Sequence, residues 1–295
     1  MTTTTAQLID GKAIAKEVRS ELRARVETLR ANGVTPRLAA VLVGDDPASQ
    51  VYVGTKERTA KKMGIDSEVI RKPATTTDAE LRDLIAELNA RRDLHGYIIQ
   101  SPLPTGLDEA AMVELIDPAK DIDGFHPVNM GALTLGYPRM QPCTPAGIVE
   151  LLVRSNVDTS GAEIVVLGRG NIVGRPISIL LSLKGKHGDG TVTVCHSRTR
   201  NIEAHCKRAD ILILAMGRPE MITGDMVKPG ATVIDVGVNR VDDPSTEKGY
   251  RLVGDAHFDS VAQVAGAITP VPGGVGPMTV AMLMANTVTA AERAE

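Results

Sequence analysis

The sequence predicts an α/β protein of two domains, each a parallel sheet flanked by helices, with a cleft between them. Three observations carry the prediction. The chain has 295 residues, enough for about two domains of roughly 150 residues. Apolar runs of strand length alternate with segments of helical periodicity, the pattern of βαβ units. The alternation is interrupted once, from Pro102 to Pro145, by a stretch rich in Pro, Gly and Asp that reads as loop and linker. We therefore place a first domain at residues 1–148, completed by a C-terminal helix at 276–295, and a second at 149–275.

Taken in order, Asp10 can cap a helix whose Ile14, Val18, Leu22, Val26 and Leu29 fall at helical spacing, with Gly33 just past its end. Leu38 to Val43 reads as a buried strand, Ser49 to Met63 as a helix closed by Gly64, and Ser67 to Arg71 as a second strand. A helix from Asp78 to Arg91 and a strand from Gly96 to Gln100 continue the series. Such a sheet presents functional groups at the carboxyl ends of its strands. Within the linker only a short helix near Glu109 to Ile116 is expected. A second series follows: strand Glu163 to Leu167, a helix from Val173, then strands Thr191 to Cys195, Ile211 to Ala215 and Thr232 to Asp235. Asn239 to Arg251, with DDPSTEKG inside it, reads as an exposed hairpin or loop. Pro277 to Ala291 is apolar at Val280, Leu283, Met284, Thr287 and Val288 and reads as a helix that packs back.

Composition narrows the function classes. At 43% hydrophobic and 23% charged the chain is a folded protein, and its net charge of −3 supplies no positive field for a phosphate backbone or an anionic membrane. Nucleic acid and membrane are thus not expected partners. Only 2% of residues are aromatic, so the cores must be aliphatic and stacking platforms for single strands are missing. Cys143, Cys195 and Cys206 are odd in number, far apart and without a CxxC, which fits reduced structural thiols rather than a disulfide framework or a zinc site. The N-terminus has no charged-then-apolar leader, and no stretch approaches the ~20 apolar residues of a membrane span. The expected location is the cytoplasm. The histidines show no metal spacing, and His126 is expected to hold its loop. Met278, Met282 and Met284 are expected to fill core.

Between the strand EIVVL and the next helix lies Gly168-Arg169-Gly170-Asn171-Ile172-Val173-Gly174-Arg175-Pro176. Glycines in this strand-to-helix context let backbone approach a pyrophosphate, and the helix N-terminus binds the anion. The spacing is GxGxxxG, so an ordinary tight turn is the competing reading. The following strand ends in His196-Ser197-Arg198-Thr199, where an NAD enzyme usually places an acid for the ribose 2′-hydroxyl. Arg169, Ser197 and Arg198 suit a 2′-phosphate instead, because guanidinium donors match phosphate oxygens. A Rossmann-type domain binding NADP follows, against the alternative that Arg198 and Arg200 are solvated surface charges.

In the first domain, Tyr52 and Lys56 share one helix face. Gln100 ends the strand HGYIIQ, and Asp123 lies in DIDGFHP. The four could converge on a ligand. Taken singly, Lys56 is one charge among Glu57, Arg58, Lys61 and Lys62, and Asp123 can simply hold a turn.

Seven segments, YVGTKERTAKKMGI, QSPLP, DIDGFHPVN, CTPAGI, GRGNIVGRP, DVGVNR and TPVPGGVGPMT, together resemble the bifunctional methylenetetrahydrofolate dehydrogenase/methenyltetrahydrofolate cyclohydrolase family. The match runs from about Leu8 to about Thr287. The resemblance implies NADP-dependent oxidation of 5,10-methylenetetrahydrofolate to the 5,10-methenyl form, then its hydrolysis to 10-formyltetrahydrofolate. It also implies Lys56 as the catalytic lysine and base, Tyr52 stacking on the folate, Gln100 positioning Lys56, and Asp123 hydrogen-bonding the pterin. Gly168, Arg169, Gly170, Ser197 and Val238 would line the NADP site, with Pro272 and Gly273 near the folate. The family usually has Ser where this chain has Gly170, which removes one hydroxyl near the cofactor. A homodimer through the NADP domain is implied too.

Three other readings remain beside it: a two-domain NADP oxidoreductase acting on a small hydroxy or amino acid, a monofunctional dehydrogenase, and a non-catalytic binder of NADP or folate. The terminal PGGVGPMT argues against the first, and the presence of Tyr52, Lys56, Gln100 and Asp123 together argues against the last.

Overall fold

The computed structural model describes residues 6–294. Strand β1 (Gln7–Leu8) leads into helix α1 (Gly11–Ala31). Asp10 caps the helix by accepting from the N–H groups of Lys12 and Ala13. Val18, Leu22, Val26 and Leu29 are buried along it, and the chain leaves it at Gly33, where φ is +86°. Strand β2 (Arg37–Val43), helix α2 (Pro47–Lys62), strand β3 (Asp66–Lys72), helix α3 (Asp78–Ala90) and strand β4 (Gly96–Ile99) follow. The three longer strands form a parallel sheet in the order β3-β2-β4. Central β2 is buried from Leu38 to Val43, the continuous apolar run of a strand covered on both faces. Asp46 accepts from the Ser49 N–H to start α2, and Thr77 with Glu80 makes a capping box on α3.

Helix α4 (Glu109–Val113) stands where a short helix was expected, but the linker stretch holds more structure than predicted. Helix α5 (Pro127–Thr134) lies wholly within it, and α6 (Cys143–Arg154) begins there. The start signal of α5 is unusual: His126 caps it, its Nδ1 accepting from the Val128 N–H, with Pro127 at the first helical position. His126 Nε2 also lies 3.2 Å from Glu114 O, so this residue does hold its loop.

The second series comprises strand β5 (Glu163–Leu167), helix α7 (Gly174–Ser182), strand β6 (Thr191–Cys195), helix α8 (Ile202–Arg208), and strands β7 (Ile211–Leu214) and β8 (Thr232–Asp235). It continues through strands β9 (Asn239–Asp242) and β10 (Tyr250–Val253), helix α9 (Phe258–Val261), strand β11 (Ala267–Ile268) and helix α10 (Val275–Arg293). Six strands form one parallel sheet in the order β1-β11-β8-β7-β5-β6, while β9 and β10 form an antiparallel hairpin. Strands β1 and β11 pair over only two residues each, too short to give a periodic signal. Helix α8 has only seven residues, too few for a periodic signal, although Asn201 caps it by accepting from the Ala204 N–H.

By internal contacts the chain forms two units. One contains the residues up to Lys16 with Thr144–Thr279 and carries the six-stranded sheet; the other contains Glu17–Cys143 with the chain from Val280 onward and carries the three-stranded sheet. Because β1 adds to the edge of the six-stranded sheet through β11, the N-terminal segment clusters with that unit. Both cores are aliphatic: Val165, Leu167, Leu212, Leu214 and Val233 in one, and Val41, Leu81, Ile85 and Leu88 around Tyr97 in the other. Met278, Met282 and Met284 are buried. All three cysteines are free and buried.

Candidate active site and dinucleotide cradle

In the three-stranded unit, β4 ends at Ile99 and delivers Gln100 to the carboxyl edge of the sheet, where its N–H donates to Val41 O at 2.9 Å. Lys56 lies on α2, and its Nζ donates to Gln100 Oε1 at 3.0 Å. The Gln100 Nε2 donates in turn to Ser101 O at 2.7 Å. That second bond fixes the amide orientation, so its oxygen is the atom that faces the amine. Tyr52, one turn earlier on α2, is 54% exposed and presents its ring to solvent.

Asp123 reaches the same cluster from the loop after the bridge that joins Tyr97 to Asp121. Burial pushes its carboxyl up from the ordinary carboxylate range, the Lys56 ammonium pulls it down, Asp121 raises it and the Cys143 thiol lowers it by hydrogen bonding. Lys56 therefore acts electrostatically on Asp123 while hydrogen-bonding Gln100, which brings these three sequence candidates into one cluster.

Three supporting residues were not singled out as site residues from the sequence. Asp121, buried, accepts from the N–H groups of Gly124 and His126 and from Asn129 Nδ2, holding the loop that carries Asp123. Cys143 donates its thiol to Ile122 O, and burial, then the Asp123 charge, pushes that thiol up. Asn286 of α10 donates to Ile122 O at 2.8 Å and Gln141 O at 2.9 Å. A lone Asn between Leu283 and Val288 on an apolar helix was the available signal for it.

The remaining candidates lie in the six-stranded unit, all just past the carboxyl ends of its strands. Gly168 follows β5 with φ +121°. A Cβ there would stand 2.2 Å from Ala215 O, and one at Gly174 would stand 2.2 Å from Gly168 O. Both glycines are thus required for the turn to close. Arg169 and Gly170 are exposed at its crest. Helix α7 begins behind the turn without a side-chain cap, but Arg175 N–H donates to Gly170 O, Ile177 N–H donates to Val173 O and Pro176 has none, so the expected anion-binding helix start offers only the Gly174 N–H. Ser197 and Arg198 are exposed beyond β6, and Val238, 53% exposed, lies beyond β8. Pro272 and Gly273 follow β11, with Gly273 at φ +117° beside the Lys12 side chain. The open glycine cradle and the exposed Arg169, Ser197 and Arg198 side chains fit a dinucleotide with a 2′-phosphate. Among the described residues no cluster of three His, Cys, Asp or Glu could hold a metal, and no helix is long and apolar enough to cross a membrane.

A parallel six-stranded unit with a glycine cradle and a parallel α/β unit carrying a lysine–glutamine pair define a two-domain dinucleotide-binding enzyme. Comparison with known proteins sharpens that class. Residues 9–123 match the profile described as "Tetrahydrofolate dehydrogenase/cyclohydrolase, catalytic domain", and residues 142–295 match its "NAD(P)-binding domain" counterpart. The chain is 56% identical over 282 residues, 95% of its length and 96% of the relative's, to "Bifunctional protein FolD" of Oleidesulfovibrio alaskensis. It superposes on the bifunctional FolD methylenetetrahydrofolate dehydrogenase/cyclohydrolase of Campylobacter jejuni with a TM-score of 0.92 at 42% identity, covering 98% of this chain and 99% of that one. The Trypanosoma brucei FolD enzyme, solved with NADP cofactor and an inhibitor, gives a TM-score of 0.91 at 41% identity, with 98% of each chain covered. This chain belongs to the tetrahydrofolate dehydrogenase/cyclohydrolase family.

Proposed function

We propose that the protein oxidises 5,10-methylenetetrahydrofolate to 5,10-methenyltetrahydrofolate with NADP and hydrolyses the product to 10-formyltetrahydrofolate. The observation that carries this reading is the Lys56–Gln100 pair at 3.0 Å beside Asp123, in a chain that also builds a glycine cradle. When bound, NADP supplies the hydride acceptor. The methylene carbon loses its hydride readily because the flanking nitrogens absorb the positive charge, so this step depends mainly on positioning.

Hydrolysis makes different demands. Water must lose a proton as it adds to the cationic methenyl carbon, and ring opening must return one to the departing nitrogen. Lys56 is the group we assign to this transfer. A cationic ligand favours the neutral form of an adjacent amine, which is the form a base needs. Gln100 holds Lys56 in place, Asp123 hydrogen-bonds the pterin and Tyr52 stacks against the folate ring. Pro272 and Gly273 line the folate position, while Gly168, Arg169, Gly170, Ser197 and Val238 line the NADP position. Family membership further supports a cytoplasmic homodimer as the working state.

The test is absorbance of purified protein mixed with 5,10-methylenetetrahydrofolate and NADP. NADPH should form without lasting accumulation of the methenyl compound. No NADPH with either NADP or NAD would refute the dehydrogenase, and a persistent methenyl signal would refute the hydrolase.

A further inference from the structure

Two buried carboxylates in the six-stranded unit have no part in the chemistry above. Asp255, fully buried, accepts through Oδ2 from the N–H groups of Met216 (2.7 Å) and Gly217 (3.0 Å). Its Oδ1 accepts from the Arg218 N–H (2.8 Å) and from Asn239 Nδ2 (2.9 Å). Asp235, at the end of β8, anchors Asp255 in turn: its Oδ1 accepts from the N–H groups of Gly237 and Asp255, and its Oδ2 from that of Ala256. The backbone is cut to admit both groups. A Cβ at Gly237 would lie 2.3 Å from Asp255 Oδ1, and one at Gly254 would lie 1.9 Å from Asp235 Oδ2.

The segments so joined are the loop after β7 and the loop after β8, both at the sheet edge where such folds bind their ligands. The first begins at Ala215, whose carbonyl closes on Gly168 of the cradle. The second carries Val238. We propose that Asp255 is a positioning residue for the dinucleotide: it touches no ligand, and its carboxylate clasps the Met216–Arg218 loop to Asn239 and so sets the wall against which NADP lies.

The proposal rests on the NADP reading, and hydrolysis of added 5,10-methenyltetrahydrofolate, which consumes no NADP, provides an internal control. Asp255→Asn keeps the shape but points an NH2 at groups that are themselves donors, so NADP affinity should fall by about tenfold or more. The KM for NADP should rise while the rate of methenyl hydrolysis stays at the wild-type value. Asn239→Ala, which removes one clasp and leaves the carboxylate, should show the same pattern with a smaller change. Wild-type NADP affinity in a folded Asp255→Asn protein overturns the proposal. If that variant does not fold, Asn239→Ala decides: weaker NADP binding with intact hydrolysis supports the proposal, and unchanged binding overturns it. A wild-type protein that binds no NADP in the same titration overturns the functional reading and the proposal with it.

Discussion

Lys56 Nζ donates to Gln100 Oε1 at 3.0 Å, and the same amide is held from its other side by donation to Ser101 O. A side chain from a helix and one from a strand end are thereby locked in a single orientation. Replacing Gln100 by Leu keeps the volume but leaves the amine without this acceptor. Methenyl hydrolysis should fall by about tenfold or more, toward the 10²–10⁴ that positioned acid–base groups contribute, while NADP affinity stays unchanged. Rate assays with added 5,10-methenyltetrahydrofolate, beside an NADP titration, measure both. A wild-type hydrolysis rate would show that Gln100 does not position the lysine.

The glycine turn discriminates between its own positions. Gly168→Ala forces a Cβ into Ala215 O at φ +121° and should cost about 1–3 kcal/mol of stability, with weakened NADP binding. At Gly170 a Cβ meets nothing within 4 Å, so Gly170→Ser should change stability by less than about 0.5 kcal/mol and retain NADP affinity. Thermal melts and NADP titrations of the two variants check this. Equal damage from both would contradict the account of the turn.

What the sequence made legible follows from periodicity. The central strand β2, helices α1 and α3, and strands β5, β6 and β8 were read nearly to their ends, because apolar spacing and capping residues such as Asp10 mark them locally. Helix α5 was hidden by its histidine cap and by Gly131 inside a Pro- and Gly-rich stretch, and β1 and β11 by their two-residue length. The residues at the site were visible as motifs, and their convergence was an expectation that rested on the family resemblance, because local spacing carries no information about it. Lys56 and Gln100 are 44 residues apart, and Asn286 reaches Ile122 across 164. No local spacing encodes such contacts. Asp235 and Asp255 were missed for a related reason: an acid in VIDVGV or VGDAH looks like turn chemistry until the backbone shows its donors.

Burial pushes the Asp235 carboxyl up to about 7, against three N–H donors that pull it down. Its folded value thus lies above the ordinary 3.8, so the native state holds the proton more tightly than the unfolded chain. The stability this adds is fully present below pH ~4 and is lost as pH rises through about 7. Relative to Asp235→Asn, the wild type should lose about 2–4 kcal/mol of unfolding free energy between about pH 4 and pH 8. Denaturant melts across that range give the difference. A flat difference would contradict it.

Burial raises all three thiols: Cys143 well above its ordinary value, Cys195 upward, and Cys206 to about 11. Thiolate is the reactive form. The folded protein should therefore resist an aromatic disulfide reagent at about pH 8, and all three cysteines should react once it is denatured. Fast labelling of the native protein would contradict their burial.

The most direct test of the central claim is Lys56→Met, assayed on added 5,10-methenyltetrahydrofolate. If Lys56 moves the proton in ring opening, hydrolysis falls by about 10²–10⁴, the methenyl compound persists, and NADP binds as in the wild type. Hydrolysis at the wild-type rate by that variant would contradict the account.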